Sequence, residues 1–376
     1  MRVAFISTIL HYPWGGADKL WTRAAERLAD EGGHALLLAV SPLVAPHARV
    51  QALARLGAIL HEREGFTMPS GRRQQLVETL RHFVRSRASL LVELAEFRPD
   101  FVFVCQGGTY DFQVETGLMD WLGAQRVPFA LICQANRSDT VFDENKRELS
   151  RRTFAAARAV FFVSTHNLRL AERQIEAAIP NARLVQNPVE LSLQPEPWPD
   201  ESTLSFGVVA RIESHDKGLD LLIPALAGAL RKAGAWQVHL YGRGPDEEKL
   251  RALAAQAGIA DRVIFHGFQS DIRAIWQRCH VMLLPSRHEG CALAMLEALA
   301  CGRPVIATDV GGVSDWIIDG ENGFVSPEPA LPALTNTLRR AWTDRARWRQ
   351  LGAAAARTAA RLDAAPERTL LASLAS

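Results

Sequence analysis

The sequence is short of cysteine, and what it has is scattered. Cys105, Cys133, Cys279, Cys291 and Cys301 form no CxxC pair and no His–Cys ligand cluster. An odd, dispersed set reads as reduced intracellular thiols and excludes a disulfide framework. No stretch approaches ~20 uninterrupted apolar residues, which excludes a spanning helix. The apolar run in MRVAFISTILHYPWGG lacks a following small-residue cleavage site, so it reads as a first strand rather than a signal peptide. A formal charge of +2 carries no argument for a nucleic-acid partner. The GxGxxG fingerprint is missing, and no acidic residue ends the second strand at Val40-Ser41-Pro42, which disfavours a dinucleotide cofactor.

What is present suits a soluble globular chain of two domains: 376 residues, 48% hydrophobic and 22% charged. Short β-branched runs alternate with longer helical patterns, the signature of parallel βαβ units. Strands are expected at Arg2 to Ser7, Ala35 to Val40, Phe101 to Cys105, Pro128 to Cys133, Val160 to Ser164 and Arg183 to Gln186, with helices such as Ala17 to Asp30 and Arg72 to Glu96 between them. Several strands are apolar throughout, as when both sheet faces are covered. Pro188, Pro195, Pro197 and Pro199 then break the pattern in an expected linker over 188–203. A second series follows: LSFGVVA, WQVHLYG, RVIFHG, VMLLPS and PVIATD. The division expected is an N-terminal domain over 1–187, the linker, a C-terminal domain over 204–350, and an Ala- and Arg-rich helical segment over 351–376 packing back towards the N-terminal domain. The fold class is α/β, with two doubly wound Rossmann-like parallel-sheet domains facing a central cleft. Ligands of such sheets bind beyond the carboxyl ends of the strands, so the chemistry belongs in the loops there.

Three motifs lie in such loops. In HEGCALAMLEALACGRPVIATDVGGVSDW, Glu289 follows the strand VMLLPS and Glu297 stands eight residues on, inside a helix expected to begin near Gly290. Eight helical residues rise about 12 Å, roughly the span from a sugar across a diphosphate to a ribose. The backbone N–H groups at the helix start favour a phosphate. Glu297 sits among Ala292, Leu293, Met295, Leu296, Ala298 and Leu299, where a carboxylate is costly to bury without a partner. In FGVVARIESHDKGLDLL, Arg211 and Lys217 form a cationic pair that matches phosphoryl oxygens; in the bland alternative they pair with Glu213 or Asp216. Gly15-Gly16 lies between the first strand and first helix, where backbone amides can reach a phosphate. Two further loops, around Gly242 in YGRGPDEEKL and Gly267 in VIFHGFQSD, fit contacts to a nucleobase.

Together these residues resemble the retaining GT-B glycosyltransferases of the group often called family 4. Glu289 and Glu297 match its E-x7-E pair, Arg211 and Lys217 its diphosphate pair, and Gly15 and Gly16 its glycine-rich first loop; CGRPVIATDVGG and DGENGFV follow its usual runs. The resemblance implies that Glu289, Arg211 and Lys217 are catalytic. It assigns donor binding to Gly15, Gly16, Glu297, Gly290, Cys291, Ala292, Leu293, Gly242 and Gly267. It implies transfer from a UDP- or GDP-sugar to a glycan or lipid-linked acceptor in cell-envelope polysaccharide synthesis, with no cofactor. The two cations would stand in for a divalent metal, which fits the lack of a DxD-like cluster.

One departure concerns the sugar side. Where many members carry a histidine, ALICQANRSD places Gln134, with Asn136 beyond it; His166 in VSTHNL is the other acceptor-side candidate. Glutamine bonds a hydroxyl but shuttles no proton near neutral pH. A basic helical pattern carrying Arg72, Arg73, Arg81, Arg85 and Arg87 has two readings, peripheral docking on anionic lipid and an ordinary solvated face. The expected location is cytoplasmic, extending to the inner face of the membrane. Rival functions for the same fold are a sugar-nucleotide epimerase, against which the E-x7-E pair argues, and a non-catalytic nucleotide-sugar-binding protein.

Overall fold

The computed structural model describes residues 1–63, 87–200 and 202–375. The chain divides into two compact units, one formed by Met1–Val163, Asn167–Pro188 and Ala365–Ser376, the other by Ser164–His166 and Val189–Ala364. The proline-rich stretch therefore packs with the C-terminal unit. The helix Trp348–Ala359 also stays there, and only the last segment joins the N-terminal unit, where Glu367 pairs with Arg23 (3.3 Å) and Arg27 (3.5 Å).

The first unit is a parallel sheet of seven strands: β1 Arg2–Ser7, β2 Ala35–Val40, β3 Ile59–Glu62, β4 Phe101–Gly108, β5 Phe129–Ala135, β6 Ala159–Phe162 and β7 Ala182–Leu184. Their order is β3-β2-β1-β4-β5-β6-β7. β3 escaped the sequence reading because its four residues, ILHE, are half-exposed at the sheet edge and carry no apolar run. The central strands do the opposite. VAFIS of β1, LLLAV of β2 and FVFVCQ of β4 are buried at every position, because helices cover both faces.

The second unit repeats the plan with six strands: β8 Leu204–Val209, β9 Trp236–Tyr241, β10 Val263–Gly267, β11 Val281–Leu284, β12 Val305–Thr308 and β13 Gly323–Ser326. Their order is β10-β9-β8-β11-β12-β13, again all parallel. Its core gathers Phe206, Leu222, Leu226, Val238, Leu240 and Leu338 around the buried Trp236 and Trp348. Phe206 meets Trp236 and Trp348 edge-on at 6.3 and 5.5 Å, and the indole N–H groups of both donate to carbonyls, of Leu230 (2.8 Å) and Ala341 (3.0 Å).

In both sheets the strand order reverses between the first strand and a later one: β1 beside β4, and β8 beside β11. The crevice at that reversal is where open α/β sheets take their ligands.

Arg303 is the most deeply buried cation of the second unit, at 1% exposure. Its guanidinium donates to the carbonyls of Trp276 (2.7 Å), Cys279 (2.9 Å), Cys301 (3.0 Å), Glu196 (3.2 Å) and Pro197 (2.6 Å), and lies over the Trp198 ring. Burial pushes its pKa down to about 10, which still leaves it charged at neutral pH. Together with Arg273, which pairs with Glu196 and donates to Ser192 and Gln194, it ties the proline-rich stretch to the domain. Gly302 beside it adopts φ 72 with Pro195 against it.

Of the basic helical pattern, Arg72, Arg73, Arg81 and Arg85 lie outside the described residues. Arg87 opens the described part of a helix over 87–97 and is held by the Val114 carbonyl and the Glu115 carboxylate, which also pairs with buried Arg63 at 2.9 Å. Among the described residues no helix is long and apolar enough to cross a membrane.

Two predictions follow from this packing. Arg303→Met, which keeps the volume but strands the carbonyls, should lower stability by about 3 kcal/mol or more in denaturant unfolding; a loss under about 1 kcal/mol would refute its anchoring role. The second concerns His239, whose Nδ1 lies 2.9 Å from His266 Nε2 beneath the end of β9. Burial, then the charges of His266 and Arg278, push the His239 pKa from 6.5 down to about 4. The unfolded chain therefore takes up this proton first, so the contribution is complete above about pH 6.5 and lost as pH falls towards about 4. Melting temperatures of wild type and His239→Gln should converge on acidification through that window. A constant gap would show that the histidine does not titrate as described.

Candidate active site

The loop after β8 and the loop after β11 meet at the reversal point of the second sheet. After β8 the chain runs through Ala210 to Glu213, makes the short helix Ser214–Lys217, and turns at Gly218 into the helix Leu219–Leu230. Gly218 has φ 62, and a Cβ there would stand 2.0 Å from the Pro285 carbonyl oxygen. Only glycine lets the two loops touch at this point. The contact brings Lys217 over the next loop, where its Nζ donates to Glu289 Oε1 at 2.7 Å.

Glu289 is 9% exposed. The same Oε1 accepts a bond from the hydroxyl of fully buried Ser286 at 2.9 Å. Ser286 is fixed in turn, because its carbonyl accepts from Thr308 Oγ1 at the end of β12. Arg211 pairs with Glu213 at 3.3 Å, and the Glu213 carboxylate also accepts from the backbone N–H groups of His215 and Asp216. Of the two pairings expected for the cations, that of Arg211 with Glu213 is present, whereas Lys217 is engaged by Glu289.

The helix carrying Glu297 begins at Leu293, not near Gly290. Gly290 to Ala292 are non-helical because the glycine pair of the next loop packs against them. The Gly312 N–H donates to the Gly290 carbonyl at 2.7 Å, and a Cβ on Gly311 (φ 54) would lie 2.3 Å from that same oxygen. Only four residues of helix therefore separate Leu293 from Glu297, which shortens the helical rise the sequence suggested. The helix N-cap is Ala292, which offers no side-chain cap. Glu297 is 7% exposed. Cys291 is buried against Gly312, and burial pushes its thiol up to about 12, so it stays protonated and is no nucleophile.

The loops after β9 and β10 join at their glycines. The Gly242 N–H donates to the Gly267 carbonyl at 2.8 Å, and a Cβ on Gly242 (φ 146) would collide with the Ala210 carbonyl at 1.8 Å. The Tyr241 and His266 rings stack behind them at 4.5 Å. Gly242 and Gly267 thus border the loop that carries Arg211.

In the first unit, Gly15 is the N-cap of the helix Gly16–Glu31. Its N–H donates to Asp18 Oδ2 at 3.0 Å, and Asp18 Oδ1 accepts from Trp21 Nε1 at 3.2 Å. Asp18 is buried, and burial raises its pKa against the lowering effect of these bonds. The sequence reading passed over this carboxylate because one acid in a helix's first turn reads as capping. Gln134 and Asn187 exchange two amide bonds, at 3.0 and 2.8 Å. Asn136 donates to Gln174 Oε1 (2.9 Å) and accepts from the Arg137 N–H (2.8 Å). Both amides therefore serve internal contacts. His166 lies half-buried in the first turn of the helix Thr165–Ile175. Among the described residues no group of three His, Cys, Asp or Glu side chains is placed to hold a metal ion.

Residues 203–344 match the family described as glycosyl transferases group 1. The chain is similar to the lipopolysaccharide core biosynthesis mannosyltransferase LpcC of Rhizobium leguminosarum bv. viciae, 31% identical over 169 residues that cover 41% of this chain and 48% of that protein. It is also similar to the lipopolysaccharide 1,6-galactosyltransferase of Salmonella typhimurium, 34% identical over 42% of this chain and 45% of that protein. The chain spans about half the length of the curated relatives it matches. Among solved structures, HepE of Anabaena in complex with UDP superposes with a TM-score of 0.72 at 18% identity, covering 99% of this chain and 98% of that one. Sucrose-phosphate synthase of Thermosynechococcus elongatus superposes with a TM-score of 0.73 at 21% identity, covering 99% and 97%. The chain has the GT-B fold, and its residues 203–344 match the group 1 glycosyl transferase family.

Proposed function

We propose that this chain is a retaining, metal-independent glycosyltransferase. It moves a hexose from a UDP- or GDP-sugar to a glycan or lipid-linked acceptor in the synthesis of a cell-envelope polysaccharide. The observation that carries this reading is the Lys217–Glu289 contact of 2.7 Å at the reversal point of the second sheet, with Arg211 on the same loop as Lys217. Support for the acceptor class comes from the relatives, whose names place them in lipopolysaccharide synthesis. Support for a uridine nucleotide comes from HepE, solved with UDP and with UDP-glucose.

The chemistry follows from charge. Breaking the bond between sugar and diphosphate leaves positive character on the ring and negative charge on the leaving group. Glu289, held through Oε1 by Lys217 and Ser286, offers its carboxylate to a sugar hydroxyl and stabilises the ring charge. Lys217 and Arg211 offset the charge on the diphosphate, the task of a divalent ion in other transferases. Each cation has a carboxylate partner, Lys217 with Glu289 and Arg211 with Glu213, so in this proposal the diphosphate competes with those carboxylates. Glu297, four residues into its helix, takes the ribose hydroxyls, and Gly242 and Gly267 border the base.

Within this proposal retention does not proceed by double displacement on a nearby carboxylate. Asp220 is forked by Arg287, Asp216 faces His288 at 3.3 Å, and Glu213 binds its own loop. None is placed as a second nucleophile in the manner of a retaining glycosidase pair. The acceptor proton then goes to the leaving phosphate on the same face of the sugar.

Glu289→Gln should lower kcat by about 100-fold or more with an unchanged fold, since it removes a preorganised charge from the reacting centre; near-normal turnover would remove Glu289 from the mechanism. With UDP-glucose, UDP-galactose and GDP-mannose as donors, EDTA should leave the rate unchanged, and proton NMR of the product should show the donor's anomeric configuration. Loss of activity in EDTA, or an inverted product, would overturn the corresponding part of the proposal.

A further inference from the structure

The loop that carries Glu289 also grips the segment that carries Lys217, and it does so through Arg287. Nη1 of Arg287 donates to the Ser214 carbonyl and to Asp220 Oδ1, both at 2.7 Å, and Nη2 donates to Asp220 Oδ2 at 3.0 Å. The Arg287 backbone N–H donates to the Asp216 carbonyl at 2.7 Å. These bonds bracket Lys217 on both sides in sequence. Ser214 and Asp216 lie in its short helix, and Asp220 lies in the first turn of the next helix. A helix of four residues has almost no stability of its own, so its position depends on what it is tied to. Gly218 supplies the close approach to Pro285, but a glycine contact fixes no direction for the lysine stem.

We propose that Arg287 is a positioning residue: it holds the Ser214–Lys217 turn so that the Lys217 ammonium is presented to the donor diphosphate. The inference rests on the reading of Lys217 given above. Arg287 does this with a planar fork, bonding both oxygens of Asp220 and a main-chain carbonyl at once, a geometry that lysine cannot reproduce. In this proposal it acts through Lys217 rather than on the nucleotide.

Calorimetric titration with UDP and with GDP tests this on wild type, Lys217→Ala, Arg287→Met, the double variant, Asp220→Asn and Asp220→Asn in the Lys217→Ala background. For whichever nucleotide binds wild type more tightly, Lys217→Ala and Arg287→Met should each weaken binding by about 10-fold, as for loss of a charge-assisted contact. Asp220→Asn should weaken it in the same direction but less. The double variant should bind within about 2-fold of Lys217→Ala alone, because a residue acting only through Lys217 has nothing left to position. Wild-type affinity in Arg287→Met, or a double variant weakened by the product of the two single effects, would overturn the proposal; the latter would mean that Arg287 touches the nucleotide itself. Should Arg287→Met fail to fold, the Asp220→Asn pair decides by the same comparison. Wild-type affinity in Lys217→Ala, or no binding of either nucleotide to wild type, would instead bring down the reading of the site on which this inference rests.

Discussion

The functional half of this molecule depends on one close approach, the backbone of Gly218 against the carbonyl of Pro285. Two loops from neighbouring parallel strands are separated by roughly the 4.8 Å of a sheet, and side chains would ordinarily keep them further apart above its edge. The missing Cβ at Gly218 removes that barrier, and the left-handed turn there sends the chain directly into the helix Leu219–Leu230. Three charged pairs of the site are arranged across this contact: Lys217 with Glu289, Arg287 with Asp220, His288 facing Asp216. The same device recurs at Gly242 under the Ala210 carbonyl, at Gly244 under the Ile212 carbonyl and at Gly311 under Gly290. The edge of the second unit is thus a set of strand-end loops pressed together at glycines, with ionic groups filling the space that remains.

That construction explains why charge is tolerable there. Burying a carboxylate without hydrogen-bond or ionic partners is costly. Here a lysine and a serine hydroxyl meet the same oxygen, and the serine is held by a threonine one strand further along. These bonds fix the carboxylate in place, as electrostatic stabilisation of a transition state in the proposed reaction requires. Arg303 plays a parallel structural part at the other end of the proline-rich stretch, where carbonyl dipoles compensate a cation that has left water.

Much of this was legible in the residues. The apolar strands announced themselves because parallel strands buried on both faces cannot alternate, and Glu289, Arg211 and Lys217 stood out as charges placed just beyond such strands. What escaped were features whose signal is weak in one dimension. β3 carries too few apolar residues to be seen. The helix start at Leu293 was misplaced because Gly290 to Ala292 are held out of the helix by Gly311 and Gly312, some twenty positions away. The amide partners of Gln134 and Asn136, Asn187 and Gln174, lie some forty to fifty positions away and could not be read from the sequence.

The sequence by itself determined the two sheets, their parallel sense and the loops in which charge would gather, because hydrophobic period and the position of glycine and proline are local properties. Tertiary structure decided which charges meet. That Lys217 binds Glu289 rather than Asp216, that Arg287 forks Asp220, and that Ser286 supports the carboxylate all depend on two strands distant in sequence, β8 and β11, lying side by side. Pairing of this kind is set by distances of a few ångströms between loops, and no local pattern of residues encodes them.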